Sequence, residues 1–262
     1  MARWLADKVP EWITGPLFIV GLPLLMLLLQ WLVHRCVPRW RKGEHNDAIS
    51  IILSVTAVVY SVAIGLCVVT LWQDLADGRA ATAAEADNLA AIAAGSRVCD
   101  VPTRNRIRGE VIAYDQDVVA HWSLRIHGEP TPEVTTDLDR LTDTIAALRP
   151  TTDPQRAYVQ DATARVARAV ELRSAAIRLA RDEQLPDVLW TAVLGGSLVV
   201  LGLCLTCGVQ DGVIRRILMV GVAAVIGTNL FLVEELNYPF YGKVSVGPDA
   251  YVAVVAELEH DG

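Results

Sequence analysis

The sequence predicts an all-α integral membrane protein, a four-span transmembrane helical bundle with a helical insert between spans 2 and 3. Three observations carry that prediction. First, 53% of the 262 residues are hydrophobic and only 20% are charged, whereas soluble domains average about 45–50% and about 25%. Second, the excess is concentrated in four uncharged runs, at residues 16–33, 48–71, 188–209 and 217–233. About 20 apolar residues at 1.5 Å rise cover a hydrocarbon core of about 30 Å, so each run is long enough to cross, the last one barely. Hydrocarbon offers no partners to backbone N–H and C=O groups, which makes the spans helical. Third, Trp12, Trp31, Trp72 and Trp190 lie at or near the ends of the runs, where indole favours the headgroup layer. Only Trp122 sits far from any span.

The elements follow in order. Residues 1–72 form an N-terminal transmembrane hairpin. Its first run is too long for a signal peptide, and no small-residue cleavage site precedes a polar mature chain. Gly21 and Pro23 are expected to bend this helix. Residues 73–188 form a polar insert with 14 arginines and 19 acids. It is rich in alanine and reads as helical. From Leu75 onward, Thr82, Ala86, Leu89 and Ala93 share one side of a helix. A second helix is expected over Arg104–His127, ended by Gly128, Pro130 and Pro132. A third covers Glu133–Leu148. After the turn at 150–154 a fourth runs to about Glu183, with Val159, Ala162, Val166, Ala169, Val170, Ile177 and Ala180 as its apolar stripe. Residues 189–262 form a C-terminal transmembrane hairpin plus a tail. In that tail Tyr251, Val252, Val254, Val255 and Leu258 suggest a short amphipathic helix, lying on the membrane surface or on the insert.

Charge narrows the function classes. The net charge of −7 excludes a typical nucleic-acid binder. Five cysteines over this length make no disulfide framework. The short loop between spans 1 and 2 carries Arg35, Arg39, Arg41 and Lys42, and the one between spans 3 and 4 carries Arg215 and Arg216. Short basic loops stay cytoplasmic, which puts both termini and the insert outside. Arg173, Arg178 and Arg181, near span 3, pull the other way. Twenty arginines against three lysines point to a high-GC bacterial source, and hence to the plasma (inner) membrane.

Several stretches have a shared order and spacing. They are Glu44-His45-Asn46-Asp47 before span 2, Val59-Tyr60 within it, Trp72, and Glu85-Ala86-Asp87-Asn88-Leu89. Leu185-Pro186-Asp187-Val188-Leu189-Trp190 follows, then Asn237-Tyr238-Pro239-Phe240-Tyr241-Gly242 with Val246 and Pro248. Together they resemble the bacterial bestrophin-like family of unknown function across nearly the whole chain, most specifically at Tyr238-Pro239-Phe240. The resemblance implies remote kinship to bestrophins, pentameric ion channels mostly for anions. It therefore implies a homo-oligomer in a lipid bilayer with inorganic ions as passengers. The chain departs from that pattern in two ways. Bestrophins keep their termini and insert in the cytoplasm, and span 2 here has Tyr60 as its only aromatic residue. The rival expectation is a non-conducting membrane interaction or sensory protein that binds a partner through its insert.

Few residues carry chemistry. Ser50, Ser54, Ala57, Ser61 and Gly65 share one face of span 2, and either line a pore or pack against another helix; packing is the preferred expectation. Gly195, Gly202 and Thr206 in span 3, with Gly221, Ala224, Val225 and Thr228 in span 4, look like complementary packing faces. No charge lies mid-span, which argues against coupled transport. Gln30 and Asn229 are the strongest polar groups within spans, and Glu234 and Glu235 form a membrane-edge acidic pair, read as a solvated helix end. Arg173 interrupts an apolar stripe and is expected to contact Glu85. Arg97, Arg104, Arg106 and Arg108 form a basic cluster read as a solvated helix end. Asp117 and His121 share a face but supply only two ligands, short of a zinc site. Cys204 and Cys207 lie within span 3, where thiolates are disfavoured. Tyr238, Phe240 and Tyr241 are expected at the membrane interface. No phosphate loop or nucleophile elbow is present. Neither an enzyme nor a cofactor is expected.

Overall fold

The computed structural model describes residues 11–36, 46–129, 131–181, 184–206, 212–240 and 244–260. All regular elements among them are helical. They are α1 (Glu11–Pro16), a π-helical turn (Leu17–Gly21), α2 (Leu22–Cys36), α3 (Asn46–Gly95), a 3-10 turn (Ser96–Val98) and α4 (Val101–Ala120). Then come α5 (Trp122–Ile126), α6 (Pro132–Ala147), α7 (Asp153–Arg181), α8 (Asp187–Thr206), α9 (Gly212–Leu236) and α10 (Asp249–His260). Four helical stretches are long and apolar enough to cross a membrane: Thr14–Val33, the one beginning at Asp47, Asp187–Thr206 and Gly212–Leu236. The chain divides into two units, Met1–Gln73 with Gln184–Tyr238, and Asp74–Glu183 with Pro239–Gly262.

The first unit is the membrane bundle. Where a bend is expected, a π-helical turn ends at Gly21 and Pro23 lies in the first turn of α2. Helix α9 packs along α2 and the π turn. Its buried side runs through Met219, Ala223, Ile226, Leu230 and Val233, at alternating four- and three-residue steps that keep one stripe facing its neighbour. At Gly227 the approach is so close that a Cβ would collide with the Phe18 carbonyl oxygen. At Gly196 a Cβ would lie 2.6 Å from the Tyr60 ring. The packing faces expected from Gly195, Gly202 and Gly221 are therefore corrected. A Cβ at any of those three would meet nothing within 4 Å, and Val225 is exposed. The close-approach glycines are Gly196, the neighbour of Gly195, and Gly227, the neighbour of Thr228, because small-residue spacing fixes a period but not which of two adjacent phases meets a partner.

The second unit holds the insert and the tail. Its core gathers Leu89 and Ile92 of α3, Ile107, Val111 and Tyr114 of α4, Leu141 and Ile145 of α6, Ala162 and Ala169 of α7, and Tyr251 of α10. Leu75, Thr82, Ala86, Leu89 and Ala93 are all buried, as their spacing requires. Asp100 caps α4 by accepting from the Thr103 N–H at 3.3 Å, and Thr152 caps α7 by accepting from Gln155 N–H at 3.3 Å. Gly128 has φ +67°, and a Cβ there would meet Arg181, so the turn after α5 needs glycine. Helix α10 lies on α4 through Tyr251, Val254 and Leu258.

Two expected boundaries and one expected stripe change. Span 2 and the first insert helix are one uninterrupted helix of 50 residues, since the alanine-rich stretch after Trp72 holds no proline. The expected 104–127 helix is split at His121 into α4 and α5. In α7, Val170 is 45% exposed while Tyr158, Leu172 and Ala176 join the buried side.

The glycine contacts set a clear test. Gly227→Ala should destabilise the detergent-solubilised chain by about 1–3 kcal/mol, the usual range for overpacking. Gly221→Ala, with open space around it, should be neutral or slightly stabilising by its helix propensity. Thermal unfolding followed by circular dichroism distinguishes the two.

Candidate functional site

Two places concentrate polar groups in an otherwise apolar or alanine-rich setting. The first is the membrane part of α3. Tyr60, Ile64, Cys67 and Leu71, at steps of four, three and four, are the side turned inward within the first unit. The Tyr60 hydroxyl and Ser197 Oγ are hydrogen-bonded at 2.8 Å, and the Tyr60 ring rests in the notch at Gly196. The Ser50, Ser54, Ala57, Ser61, Gly65 row lies beside that side. Ser50, Ser54, Ser61 and Gly65 are exposed and Ala57 is half-buried, and a Cβ at Gly65 would have nothing within 4 Å. Apart from the half-buried Ala57, the row is uncovered by the described residues of one chain.

The serine hydroxyls are bonded back to their own helix. Ser50 donates to Asp47 O at 2.8 Å, Ser54 to Ser50 O at 2.7 Å and Ser61 to Val58 O at 2.8 Å. Their donors are thus occupied, and the oxygen lone pairs remain available outward. The rest of α3 in this region is also uncovered: Ile51, Val55, Val58, Val62, Leu66 and Val69 are all more than half exposed. Only 6% of its most apolar stretch is buried, against 33% for α9. Asn229 of α9 spends its amide on its own helix, donating to Val225 O at 3.0 Å. Glu234 and Glu235 at the end of α9 are half-buried.

The second place is a buried charge cluster in the second unit. Glu85 of α3 is 0% exposed. Its Oε2 accepts from Arg125 Nη2 of α5 at 2.6 Å, and its Oε1 accepts from the Tyr114 hydroxyl of α4 at 2.5 Å and from Arg125 Nη1 at 3.3 Å. The Arg125 guanidinium also stands over the Trp122 ring at 5.5 Å and the Tyr251 ring at 5.6 Å. Desolvation of Arg125 opposes its charge, but the adjoining Glu85 carboxylate outweighs it and raises its pKa. Burial holds the Tyr114 and Tyr251 phenols well above their ordinary range. Beside Tyr114, Asp115 is 0% exposed, and neither carboxyl oxygen has a hydrogen-bond partner among the described residues. Burial, with the negative charge of Glu85 added, pushes its pKa up to about 8.

The expected Glu85–Arg173 contact is corrected. Arg125 occupies Glu85, and Arg173 instead donates to Thr131 Oγ1 at 3.0 Å and Thr135 Oγ1 at 3.1 Å on the α6 side. Both charges are buried, but an apolar stripe interrupted by one arginine does not say which carboxylate faces it. Arg125, Tyr114 and Asp115 were not placed in a site from sequence, and Tyr251 was read only as part of the tail's amphipathic helix. A signal for Asp115 existed: it falls within the Ile107, Val111, Tyr114, Val118 stripe, just as Arg173 falls within that of α7.

The remaining candidates separate. Asn237 is fully buried and its Oδ1 accepts from the Leu185 N–H at 2.8 Å. It thereby satisfies the chain just before α8. Tyr238, Pro239 and Phe240 are buried, which corrects the expected interfacial placement. In the second unit Phe240 packs on Trp122, with centroids 6.2 Å apart, and beside Gly78. Tyr241, Gly242, Cys207 and the 44–45 pair lie outside the described residues. His121 Nδ1 donates to the Asp117 carbonyl at 2.9 Å and ends α4, so the i, i+4 pair serves the helix terminus. Arg106 pairs with Glu110 at 3.0 Å. Among the described residues no group of three metal-ligating side chains occurs.

The geometry defines an all-α membrane protein: four spans, a helical insert after the second, and a tail helix folded on the insert. The chain belongs to the bestrophin-like family, whose Bestrophin-like domain matches residues 20–251. Solved structures share the fold. Crystal structures of three single-substitution variants of a bacterial bestrophin homolog from Klebsiella pneumoniae match with TM-scores of 0.75, 0.74 and 0.76, at 14%, 14% and 12% identity. They cover 92% of this chain and 98%, 98% and 99% of theirs. Among curated proteins no relative matches.

Asp115 gives this subsection its test. An unfolded aspartate ionises near pH 4, whereas Asp115 keeps its proton up to about pH 8. Between those values the folded state holds a proton that the unfolded state has lost. Stability therefore falls as pH rises through that window, by about 1.4 kcal/mol per pH unit for one proton. Asp115→Asn should flatten this slope, read from unfolding midpoints of the solubilised chain between pH 5 and 8. An unchanged slope would show that Asp115 ionises normally.

Proposed function

We propose that the chain is the subunit of a homo-oligomeric, ion-conducting pore in the bacterial plasma membrane. The Ser50, Ser54, Ala57, Ser61, Gly65 row of α3 faces the conduction path. The observation that carries this reading is the exposure of α3: a membrane helix whose hydroxyl row and apolar flanks are both uncovered within one chain. Lipid satisfies the apolar flanks. The hydroxyl row is better served by a neighbouring copy or by water, because small polar faces turn away from lipid. The row's outward oxygens substitute for part of a passing ion's hydration. Fold likeness to solved bestrophin homologs supports the same reading by analogy. No Asp, Glu, Lys, Arg or His interrupts the middle of a span, which fits passive conduction better than a proton-coupled carrier.

The basic short loops favour an arrangement with those loops cytoplasmic and the termini and insert outside. The non-conducting alternative, an insert that captures a partner, gains no specific observation. In the insert the prominent charges Glu85, Arg125 and Arg173 are turned inward.

Purified protein in planar bilayers should carry single-channel current. Ser61→Trp should cut unitary conductance several-fold or abolish it, whereas Val62→Trp, on the adjoining apolar side, should leave it near the wild-type value. Silent bilayers from monodisperse, folded protein would refute the pore. Orientation has its own readout. With Cys36, Cys67, Cys204 and Cys207 replaced, Cys99 should react with a membrane-impermeant maleimide on intact spheroplasts. Labelling only after permeabilisation would reverse the arrangement.

A further inference from the structure

A cavity of about 540 Å³ in the first unit is bordered by the end of α2 and the start of α9. Gln30, Trp31 and Arg35 line it from α2, and Gly212, Arg215 and Arg216 from α9. Three guanidinium-bearing side chains thus line one space in a chain of net charge −7, and no carboxylate is among its described lining residues. Two of the arginines have described anchors. The Arg35 guanidinium stands over the Trp31 ring at 5.3 Å, and Arg216 Nε donates to the Gly212 carbonyl at 3.0 Å. The opening turn of α9, a helix of 25 residues, adds the partial positive charge of a helix N-terminus.

Gln30 supplies an independent indication of a ligand. It is 4% exposed, and its Nε2 has no hydrogen-bond partner among the described residues. A buried amide donor without an acceptor is costly, and an oxygen-rich ligand in this cavity removes the cost. A second, smaller space of about 260 Å³ shares Gln30 and Arg215 with the first. Its other walls are Leu53, Cys204, Leu218, Met219 and Val222. A basic cradle thus adjoins an apolar slot along the same two residues.

We infer that this paired site holds one anionic phospholipid, its phosphate between Arg35, Arg215 and Arg216 and an acyl chain in the slot beside Met219. Basic pockets between membrane helices bind phosphate-bearing headgroups, and guanidinium forks match phosphate oxygens. The slot decides the source. A free phosphate ion has no use for an apolar groove, whereas a phospholipid fills both spaces at once. A choline headgroup would bring its own cation toward three arginines, so the preference is for phosphatidylglycerol over phosphatidylcholine. The inference needs only the membrane placement, and conduction plays no part in it.

The test is native mass spectrometry of the full chain released from detergent. It is titrated separately with dioleoyl phosphatidylglycerol, dioleoyl phosphatidylcholine and inorganic phosphate. Phosphatidylglycerol should be retained at far lower concentration than phosphatidylcholine. The triple variant Arg35→Gln, Arg215→Gln, Arg216→Gln should weaken its binding by roughly a hundredfold, at about fivefold per charge removed. Val222→Trp, which fills the slot, should weaken both lipids while leaving their ratio near wild type. If the triple variant does not fold, Gln30→Leu keeps all three charges and should still weaken phosphatidylglycerol several-fold. Equal retention of the two lipids overturns the inference. So does displacement of phosphatidylglycerol by an equal concentration of inorganic phosphate, which would mean that the cradle takes a free ion and the slot contributes nothing.

Discussion

Hydrocarbon cannot accept or donate a hydrogen bond, and this single property of the solvent organises the membrane part of the chain. Every polar group there must find its partner inside the protein. The side chains comply locally. Ser50, Ser54, Ser61 and Thr70 of α3 each donate to a carbonyl three or four residues back. Thr191 and Ser197 of α8 and Thr228 of α9 do the same. No hydroxyl in this set depends on an ionised partner. The one inter-helix polar contact described between spans, Tyr60 with Ser197, lies where a glycine lets the ring approach. Hydroxyls so self-contained can be turned toward lipid, toward a copy of the chain or toward water without losing their partners.

The second unit solves a different problem by different means. Its helices are rich in alanine, so each contact buries little area, and apolar burial stabilises by only about 25 cal/mol per Å². The core compensates in two ways. It places a few large rings, Tyr114, Tyr158 and Tyr251, where several helices meet. It also locks α3, α4 and α5 together through Glu85, Tyr114 and Arg125. Replacing a buried ion pair by apolar residues is often neutral, but removing one partner costs about 3–5 kcal/mol. The pair therefore acts more through specificity than through net stabilisation: a helix docked in another register strands a charge. Asp115, pressed against the same cluster with no hydrogen-bond partner among the described residues, avoids that cost by staying protonated.

How much of this was legible in the sequence follows from what periodicity can encode. Composition and run length sufficed for the four spans, because the bilayer imposes one length scale on all of them. The stripe from Leu75 to Ala93 was readable for the same reason: a single helix carries its own phase. Partner choice was not. Arg173 and Glu85 were each identifiable as buried charges, yet the residue that meets Glu85 comes from α5, a five-residue helix too short to display a period. The packing glycines show the same limit. Gly195 and Gly196 are indistinguishable from spacing alone, and only the position of Tyr60 separates them. The uninterrupted α3 escaped notice because a change of solvent along the chain looks, in sequence, like a change of element. The Asn237–Phe240 segment was recognisable by its likeness to a family, but its burial was not, since aromatic residues after a span fit a headgroup layer equally well.

Tyr60 has one more consequence. It is the sole aromatic side chain on its span, and it stands about 100° around the helix from the middle of the hydroxyl row, at 100° per residue. Seated against Gly196 and tied to Ser197, it works as a key in a slot and fixes the azimuth of α3. Slipping the helix by a single residue would swing the serines a quarter-turn or more and present valines in their place. One phenol and one missing methyl group thus choose which chemistry the longest helix of the chain shows to its surroundings.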